Sequence, residues 1–203
     1  REAMGAHLAM EHPVDADLVI GVPDSAIPAA IGYARAAGSP YREGLVKNRY
    51  VGRTFIQPDQ RIREAGVSLK FNALSDVLRG KRVVLVDDSI VRGTTTPRVV
   101  SLVRNAGAAE VHMRITTPPI VSPCFLGVDM ATKAELIAAN QSIEEIRAHI
   151  GADSLGFLSL DGLNASTGLA PQDLCNACFT GIYPLNVQMQ MDRIEASRTR
   201  EPE

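Results

Sequence analysis

The stretch that decides the fold spans positions 83 to 95 and reads Val83-Val84-Leu85-Val86-Asp87-Asp88-Ser89-Ile90-Val91-Arg92-Gly93-Thr94-Thr95. Its apolar start is nearly all β-branched and has no polar face, which is typical of a strand buried on both sides. Two acids, a glycine and two threonines then lead into a helical pattern. Ligands of open α/β sheets bind beyond the carboxyl ends of the strands. The stretch therefore predicts a buried strand that ends at a ligand site.

The turn after the acids has the composition of a phosphate site. Its backbone N–H groups and the positive end of the next helix would face one point, and the hydroxyls of Thr94 and Thr95 add donors. Asp87 and Asp88 can accept hydrogen bonds from sugar hydroxyls and help to hold hydrated Mg²⁺, which prefers carboxylate, water and phosphate oxygens. The alternative is a pair of solvated acids and a glycine that only permits a turn. The coincidence of strand, acids, glycine and helix favours the phosphate site.

Short β-rich runs alternate with helical patterns along the rest of the chain. Strands are predicted at 18–22, 111–115 and 155–160, and helices at 27–37 and from Thr96, as cap, to before Gly107. Two capping boxes, Thr132 with Glu135 and Ser142 with Glu145, predict two more helices. Such alternation predicts an α/β fold with a mainly parallel sheet flanked by helices.

Residues 47–72 differ from the rest, because they are rich in Arg, Gln, Gly and Pro and lack a sustained apolar period. A long irregular segment inside a compact domain is usually functional or disordered. We interpret it as a mobile lid, although its basic side chains taken alone are more typical of a solvated face.

Length and composition bound the remaining possibilities. The chain has 203 residues, 45% of them apolar, and a formal net charge of −2. One domain is expected at 1–184, followed by a tail at 185–203 that ends in a polar, charged run. The net charge supplies no field that would attract nucleic acid or an anionic membrane, so neither is expected as a partner. No apolar run approaches the ~20 residues of a membrane span, and no signal-peptide core opens the chain, so a cytoplasmic protein is expected.

The cysteines and histidines offer a second candidate site. Cys175 and Cys178 form a C-x-x-C motif, with Cys124 about fifty residues upstream. The set is compatible with zinc, with an iron–sulfur cluster or with plain thiols. The histidines show no metal-ligand spacing and are interpreted as structural or surface residues: His7, His12, His112 and His149.

Five blocks, taken together and in order, resemble the amidophosphoribosyltransferases, a branch of the type I phosphoribosyltransferases that use phosphoribosyl pyrophosphate (PRPP). The blocks are VPDS at 22–25, GLVKNRYVGRTFI at 44–56, the stretch at 83–95, PPIVSPCF at 118–125 and CNACFTG at 175–181. The resemblance implies the type I phosphoribosyltransferase fold with a long flexible lid. It also implies transfer of the phosphoribosyl group of PRPP to ammonia, the first step of purine synthesis. A PRPP-sensing regulatory protein of the same fold is the alternative.

The resemblance also implies roles for individual residues. Asp87 and Asp88 would hold the ribose hydroxyls and Mg²⁺, and Ser25 corresponds to a third magnesium position. Asp24 and Ser25 lie in the loop that meets pyrophosphate. The lid residues expected to take part in catalysis are Lys47, Tyr50 and Arg53. The residues expected to receive the 5′-phosphate are Ser89, Ile90, Val91, Arg92, Gly93, Thr94 and Thr95.

Cofactors and partners follow from the same resemblance. Cys124, Cys175 and Cys178 match three ligand positions of a structural [4Fe–4S] cluster, whose fourth ligand would lie upstream of Arg1. An N-terminal glutaminase domain that supplies ammonia from glutamine is expected in the intact protein and is absent from this chain. Purine nucleotides are expected as inhibitors, and a homo-oligomer is expected.

Overall fold

The computed structural model describes residues 1–48, 71–128 and 132–185. Its strands are β1 (Leu18–Gly21), β2 (Leu45–Lys47), β3 (Phe71–Ala73), β4 (Arg82–Asp87), β5 (Glu110–Ile115) and β6 (Ser154–Phe157). Its helices are α1 (Glu2–Glu11), α2 (Ile27–Ala37), α3 (Ser75–Leu78), α4 (Thr96–Asn105), α5 (Ile137–Asn140), α6 (Ile143–Ile150), α7 (Leu160–Thr167) and α8 (Ala177–Thr180). Short 3₁₀ turns lie at Lys133–Glu135 and Pro171–Asp173.

The main sheet has the order β1-β4-β5-β6, and each neighbouring pair is parallel. This confirms the predicted α/β fold with a mainly parallel sheet. The interior residues of β4, from Val83 to Val86, are no more than 1% exposed. They have no polar face because helices cover both sides of the sheet.

Two helical layers supply that cover. On one face, α1 and α2 pack on Val19, Val84 and Val86. On the other, α4 and α6 pack on a cluster that includes Leu85 and Met113. Successive residues of β4 thus point into different cores, as the alternation of side chains along a strand requires.

The chain leaves β1 and β4 in opposite directions. After β1 it passes through α2 and returns at Tyr41, which forms a parallel bridge with Val19 on the edge of β1 away from β4. After β4 it passes through α4 to β5 and then to β6. The carboxyl ends of β1 and β4 therefore flank a topological switch point, where open α/β sheets leave a crevice for ligands.

Helices α1 and α2 are in backbone contact. A Cβ atom added to Gly5 would lie 1.9 Å from the carbonyl oxygen of Ala29, and one added to Gly32 would lie 2.0 Å from that of Glu2. Since backbone atoms cannot turn aside as side chains do, these glycines are required by the close approach of the two helices.

Several predicted boundaries were wrong. The strand expected at 155–160 ends at Phe157, because the side chain of Ser159 accepts a hydrogen bond from Gly162 N–H and caps α7 at Leu160. The capping box of Thr132 and Glu135 opens a 3₁₀ turn only. Thr95 is the N-cap of α4, and Thr96 is buried in its first turn.

The predicted lid has structured margins. Strands β2 and β3 form an antiparallel pair in which Lys47 faces Phe71. Residues 49–70, the body of the predicted lid, lie outside the described residues. Within the described ranges, no helix has the length and apolar character needed to cross a membrane.

Candidate functional site

A cleft of about 480 Å³ opens at the turn after β1. Among the described residues, its lining consists of Arg1, Pro23, Asp24, Ser25, Pro28 and Lys47. The Nζ of Lys47 donates to Oδ2 of Asp24 over 2.6 Å, so the cleft is crossed by an ion pair between the β1–α2 loop and β2. The guanidinium of Arg1 donates to the backbone oxygen of Ser25. The peptide bond between Pro23 and Asp24 is cis.

The acidic pair lies at the carboxyl end of β4, where both residues are half-buried. The Asp87 carboxylate accepts from Asp88 N–H and the Asp88 carboxylate from Ser89 N–H, each over 2.8 Å. Their backbone oxygens are held by the segment after β5. Thr116 N–H donates to the Asp87 oxygen (3.0 Å) and the Thr117 hydroxyl to that of Asp88 (3.1 Å). The pair is thus fixed at the sheet edge by both neighbouring elements.

Residues 89–95, the anion loop, connect the acids to α4. Gly93 is buried with a φ of +69°. This left-handed conformation is energetically unfavourable for any residue that has a side chain. The loop is supported from behind by α5 and α6. Ile137 N–H donates to the Val91 oxygen (3.0 Å), and Nε2 of His149 is bonded to the Gly93 oxygen (3.1 Å). The loop therefore reaches the N-terminus of α4 in a supported conformation, where backbone N–H groups attract anions.

Arg92 has a defined partner at the edge of this loop. Its Nε lies 3.2 Å from Oε1 of Glu135. The pKa of Glu135 is lowered first by the N–H and hydroxyl of Thr132 and further by Arg92. Glu135 is therefore ionised at neutral pH and orients the guanidinium of Arg92.

The β1 and β4 loops leave the sheet side by side. Gly21 pairs with Val86, and Val22 N–H donates to the Val86 oxygen over 2.9 Å. The fold thus brings together three sets predicted from sequence: Asp24 with Ser25, Asp87 with Asp88, and the anion loop. Lys47 joins them through Asp24. Two other predicted residues, Tyr50 and Arg53, lie outside the described residues.

Sequence reasoning missed several residues of this site. Thr116 and Thr117 follow a predicted strand directly, so the rule that singled out Asp87 would have found them too. Arg1 and His149 carry no such local signal, because they reach the site through α1 and α6.

Comparison with known proteins agrees with this arrangement. A model of the phosphoribosyl transferase domain matches residues 5–116. The chain belongs to the phosphoribosyltransferase family. It is 57% identical over 187 residues to the amidophosphoribosyltransferase of Synechocystis sp. and 58% identical over 191 residues to that of Bacillus subtilis. These alignments cover 92% of this chain, but only 38% and 40% of the two relatives.

Two solved structures resemble this phosphoribosyltransferase chain, each with a TM-score of 0.81. One is glutamine PRPP amidotransferase from B. subtilis complexed with ADP and GMP, which is 58% identical and matches over 90% of this chain and 41% of that chain. The other is an allosteric regulatory enzyme of purine biosynthesis, 57% identical, over 90% of this chain and 40% of that chain. The predicted fold and the predicted resemblance to amidophosphoribosyltransferases are confirmed.

The acidic pair of this phosphoribosyltransferase fits magnesium. Within the described ranges, no cluster of three or more His, Cys, Asp or Glu side chains could hold a metal ion by itself. Mg²⁺ does not require such a cage, because it usually keeps several waters and takes one or two carboxylates together with substrate phosphates. Asp87 and Asp88, beside the anion loop, are a donor set of this kind.

The cysteines do not complete a cluster site. Burial raises the pKa of the Cys178 thiol, and the neighbouring thiols of Cys124 and Cys175 raise it further, so the three lie near one another. Val121 N–H and Ser122 N–H both donate to the Cys178 backbone oxygen, which ties α8 to the segment before Cys124. In the part of the chain that the structure describes, the cysteines do not by themselves form a group able to hold a metal ion. The chain has three cysteines, one fewer than the usual thiolate set of a [4Fe–4S] cluster.

Proposed function

We propose that this chain transfers the 5-phosphoribosyl group of PRPP to ammonia, which gives 5-phosphoribosylamine and pyrophosphate, the first step of de novo purine nucleotide synthesis. The observation that carries the proposal is the meeting of an acidic pair, an anion loop and a cationic cleft at the switch point between β1 and β4. The high identity to proteins named amidophosphoribosyltransferase supports the same choice of acceptor.

The proposed site offers a separate position for each part of PRPP. The 5′-phosphate would lie in the anion loop, against backbone N–H groups, the hydroxyls of Thr94 and Thr95 and the N-terminus of α4. The ribose hydroxyls would donate to Asp87 and Asp88. The pyrophosphate would lie in the cleft at Asp24 and Ser25, beside Lys47. This order matches the order of phosphate, sugar and pyrophosphate in PRPP.

The reaction makes and breaks one bond at the anomeric carbon. The bond to the pyrophosphate oxygen breaks with its electron pair, the nitrogen of ammonia forms the new bond, and the nitrogen then loses a proton. Negative charge grows on the leaving group, and cations placed there beforehand stabilise it. Lys47 supplies one, and Arg53 of the predicted lid would supply another. The sugar passes through an oxocarbenium-like state, which the carboxylates of Asp87 and Asp88 stabilise.

Mg²⁺ would be held by Asp87 and Asp88, with Ser25 at a further position, and would neutralise charge on the pyrophosphate. The lid would exclude water, which competes with ammonia, and Tyr50 would line the path of ammonia. These lid roles rest on the sequence resemblance.

Partners of the intact protein form a further part of the proposal. Because the B. subtilis relative was solved with ADP and GMP, we propose that purine nucleotides inhibit this protein, one of them at the PRPP site. Relatives are about 2.5 times as long as this chain, which supports a glutaminase domain in the intact protein. We propose that Cys124, Cys175 and Cys178, which do not form a metal site by themselves, are three ligands of a structural [4Fe–4S] cluster that needs a fourth ligand from that remainder. A cytoplasmic homo-oligomer is the proposed state.

The test is PRPP-dependent release of pyrophosphate with ammonium and magnesium, in the parent and in Asp88→Ala. We expect Asp88→Ala to lose at least about tenfold in kcat/KM, the factor that corresponds to about 1.4 kcal/mol of transition-state stabilisation. Asp161→Ala, which removes an exposed carboxylate on α7, is the matched control and should retain parental activity.

The parent chain should use ammonia and not glutamine, so glutaminase activity would contradict the proposed division of labour. A fully active Asp88→Ala variant would remove the acidic pair from the mechanism. PRPP binding without any pyrophosphate release would favour the alternative, a regulatory PRPP sensor.

A further inference from the structure

We propose that Arg1 is a further pyrophosphate-binding residue, which acts with Lys47 as the cationic pair of the cleft after β1. The identity of the ligand rests on the proposed function. The placement of the residue rests on the contacts of α1 with the β1–α2 loop.

Arg1 lines the same cleft as Asp24, Ser25 and Lys47. Its Nη1 group donates to the backbone oxygen of Ser25. That bond uses one of the several N–H donors that a guanidinium carries in one plane, and it sets the guanidinium at the cleft wall. A planar fork of this kind matches phosphate oxygens in pairs, which an ammonium group does not.

The charges of the cleft are unbalanced. Asp24 is the one acid among its lining residues, and it pairs with Lys47 over 2.6 Å. Arg1 bonds a neutral carbonyl oxygen there, so none of the lining residues within the described ranges compensates its positive charge. A polyanion such as pyrophosphate supplies the missing charge and oxygen acceptors for both cations.

The backbone of Arg1 is fixed in position. Helix α1, which begins at the next residue, is pressed against α2 at Gly5 and Gly32, where backbone oxygens of the opposite helix leave no room for a Cβ atom. The ion pair between Glu2 and Arg35 at the surface of this contact is largely exposed on both sides and contributes little to it. Because α2 starts just after the cleft loop, this contact holds α1 and the cleft loop in one rigid unit.

The experiment measures binding of inorganic pyrophosphate and of ribose 5-phosphate, both with magnesium, by titration calorimetry on the full chain. The parent is compared with Arg1→Gln, Arg1→Lys and the control Arg35→Gln, which removes an exposed arginine of the same helix pair. The KM for PRPP and kcat are measured with ammonium on the same samples, and thermal unfolding verifies that each variant is folded.

We expect Arg1→Gln to weaken pyrophosphate binding and to raise the KM for PRPP by about tenfold, with a smaller change in kcat. Binding of ribose 5-phosphate, which has no pyrophosphate group, should not change. Arg1→Lys should recover part of the affinity through its charge, and Arg35→Gln should match the parent.

The inference and the proposed function fail in different ways. Parental affinity for pyrophosphate in Arg1→Gln overturns the inference, whatever the chain does with PRPP, as does equal weakening of ribose 5-phosphate. A parent that binds pyrophosphate through Arg1 but releases none from PRPP supports the inference and removes the proposed function.

Discussion

At the scale of single residues, His149 shows how the anion loop is held. A backbone oxygen can only accept a hydrogen bond, so Nε2 of His149 must carry the hydrogen that it shares with the Gly93 oxygen. His149 lies behind the loop and supports it through Gly93, so in the proposed function it would be a positioning residue for the 5′-phosphate.

We predict that His149→Leu raises the KM for PRPP by about two- to tenfold, the range of one lost hydrogen bond, with kcat changed less. His149→Gln, whose amide N–H can replace Nε2–H, should recover most of the loss. Steady-state kinetics with ammonium measures both, and His7→Leu on α1 is the control. Equal effects of Leu and Gln would mean that His149 only fills space.

Some residues of the candidate site could be predicted from the sequence, and others could not. Asp87, Asp88 and Gly93 could be singled out as candidates because strand, acids, glycine and helix follow one another along the chain. Arg1 and His149 contact partners that are 24 and 56 positions away, so only the packing of α1 and α6 brings them to the site. No local spacing records such contacts.

At the scale of elements, the α1–α2 contact is the feature most sensitive to substitution. We predict that Gly32→Ala lowers the free energy of unfolding by about 3 kcal/mol, since its Cβ would meet the Glu2 backbone oxygen and force the helices apart. Urea unfolding measures the loss.

Gly162→Ala on α7 is the control for this substitution. A Cβ atom at Gly162 would also meet close neighbours, but the two nearest are the side-chain ends of Glu11 and Leu158, at 2.4 and 2.9 Å, and these can move. Its loss should be under about 1 kcal/mol, because Ala also favours the helix. Equal losses in the two variants would refute a backbone contact as the cause.

Elements were predicted best where propensity and burial agree. Helix α2 lies where the sequence placed it, with Pro28 in its first turn and Gly38 at its end in the left-handed region. The strand expected to reach 160 was too long, because Leu158 N–H still donates to the Ile115 oxygen of β5 but Ser159, directly after it, caps α7. An apolar run alone does not show where such a cap ends the strand.

At the scale of the whole molecule, acid should destabilise the fold. Several carboxyl groups have a lower pKa in the folded protein than the ordinary 3.8 of Asp or 4.5 of Glu. Those with lowered pKa values are Asp17, Glu135, Glu144, Glu145 and Asp153. For Asp153, burial pushes the pKa up, but Val111 N–H and Arg104 together push it further down.

A depressed pKa contributes stability that is fully present above the unfolded pKa and is lost as the pH falls through the folded pKa. We therefore predict an unfolding free energy that is nearly constant from about pH 7 to about pH 5.5 and declines below about pH 4.5. Urea titrations across this range measure how the unfolding free energy changes with pH. Asp153→Asn should make the decline at low pH smaller, whereas Asp161→Asn, on the exposed start of α7, should leave it unchanged. A flat curve down to about pH 3 would contradict the prediction.

The strand order of the whole sheet was beyond sequence reasoning. Alternation of strands and helices predicts a parallel sheet, but it does not state on which edge of β1 each connection returns. Tyr41 and β4 lie on opposite edges because α2 and α4 cover opposite faces. The crevice between the carboxyl ends of β1 and β4 exists because the two connections return on opposite edges of β1.

The pairing of Lys47 with Phe71 has a consequence for how such a protein can diversify. Whatever joins these two positions departs from and rejoins the domain at a single place, so its length is thermodynamically cheap to vary. Insertions, deletions and new compositions there would leave every register of the parallel sheet untouched. The residues that the parallel sheet positions at the ends of β1 and β4 can therefore stay constant while this connection varies in length and composition.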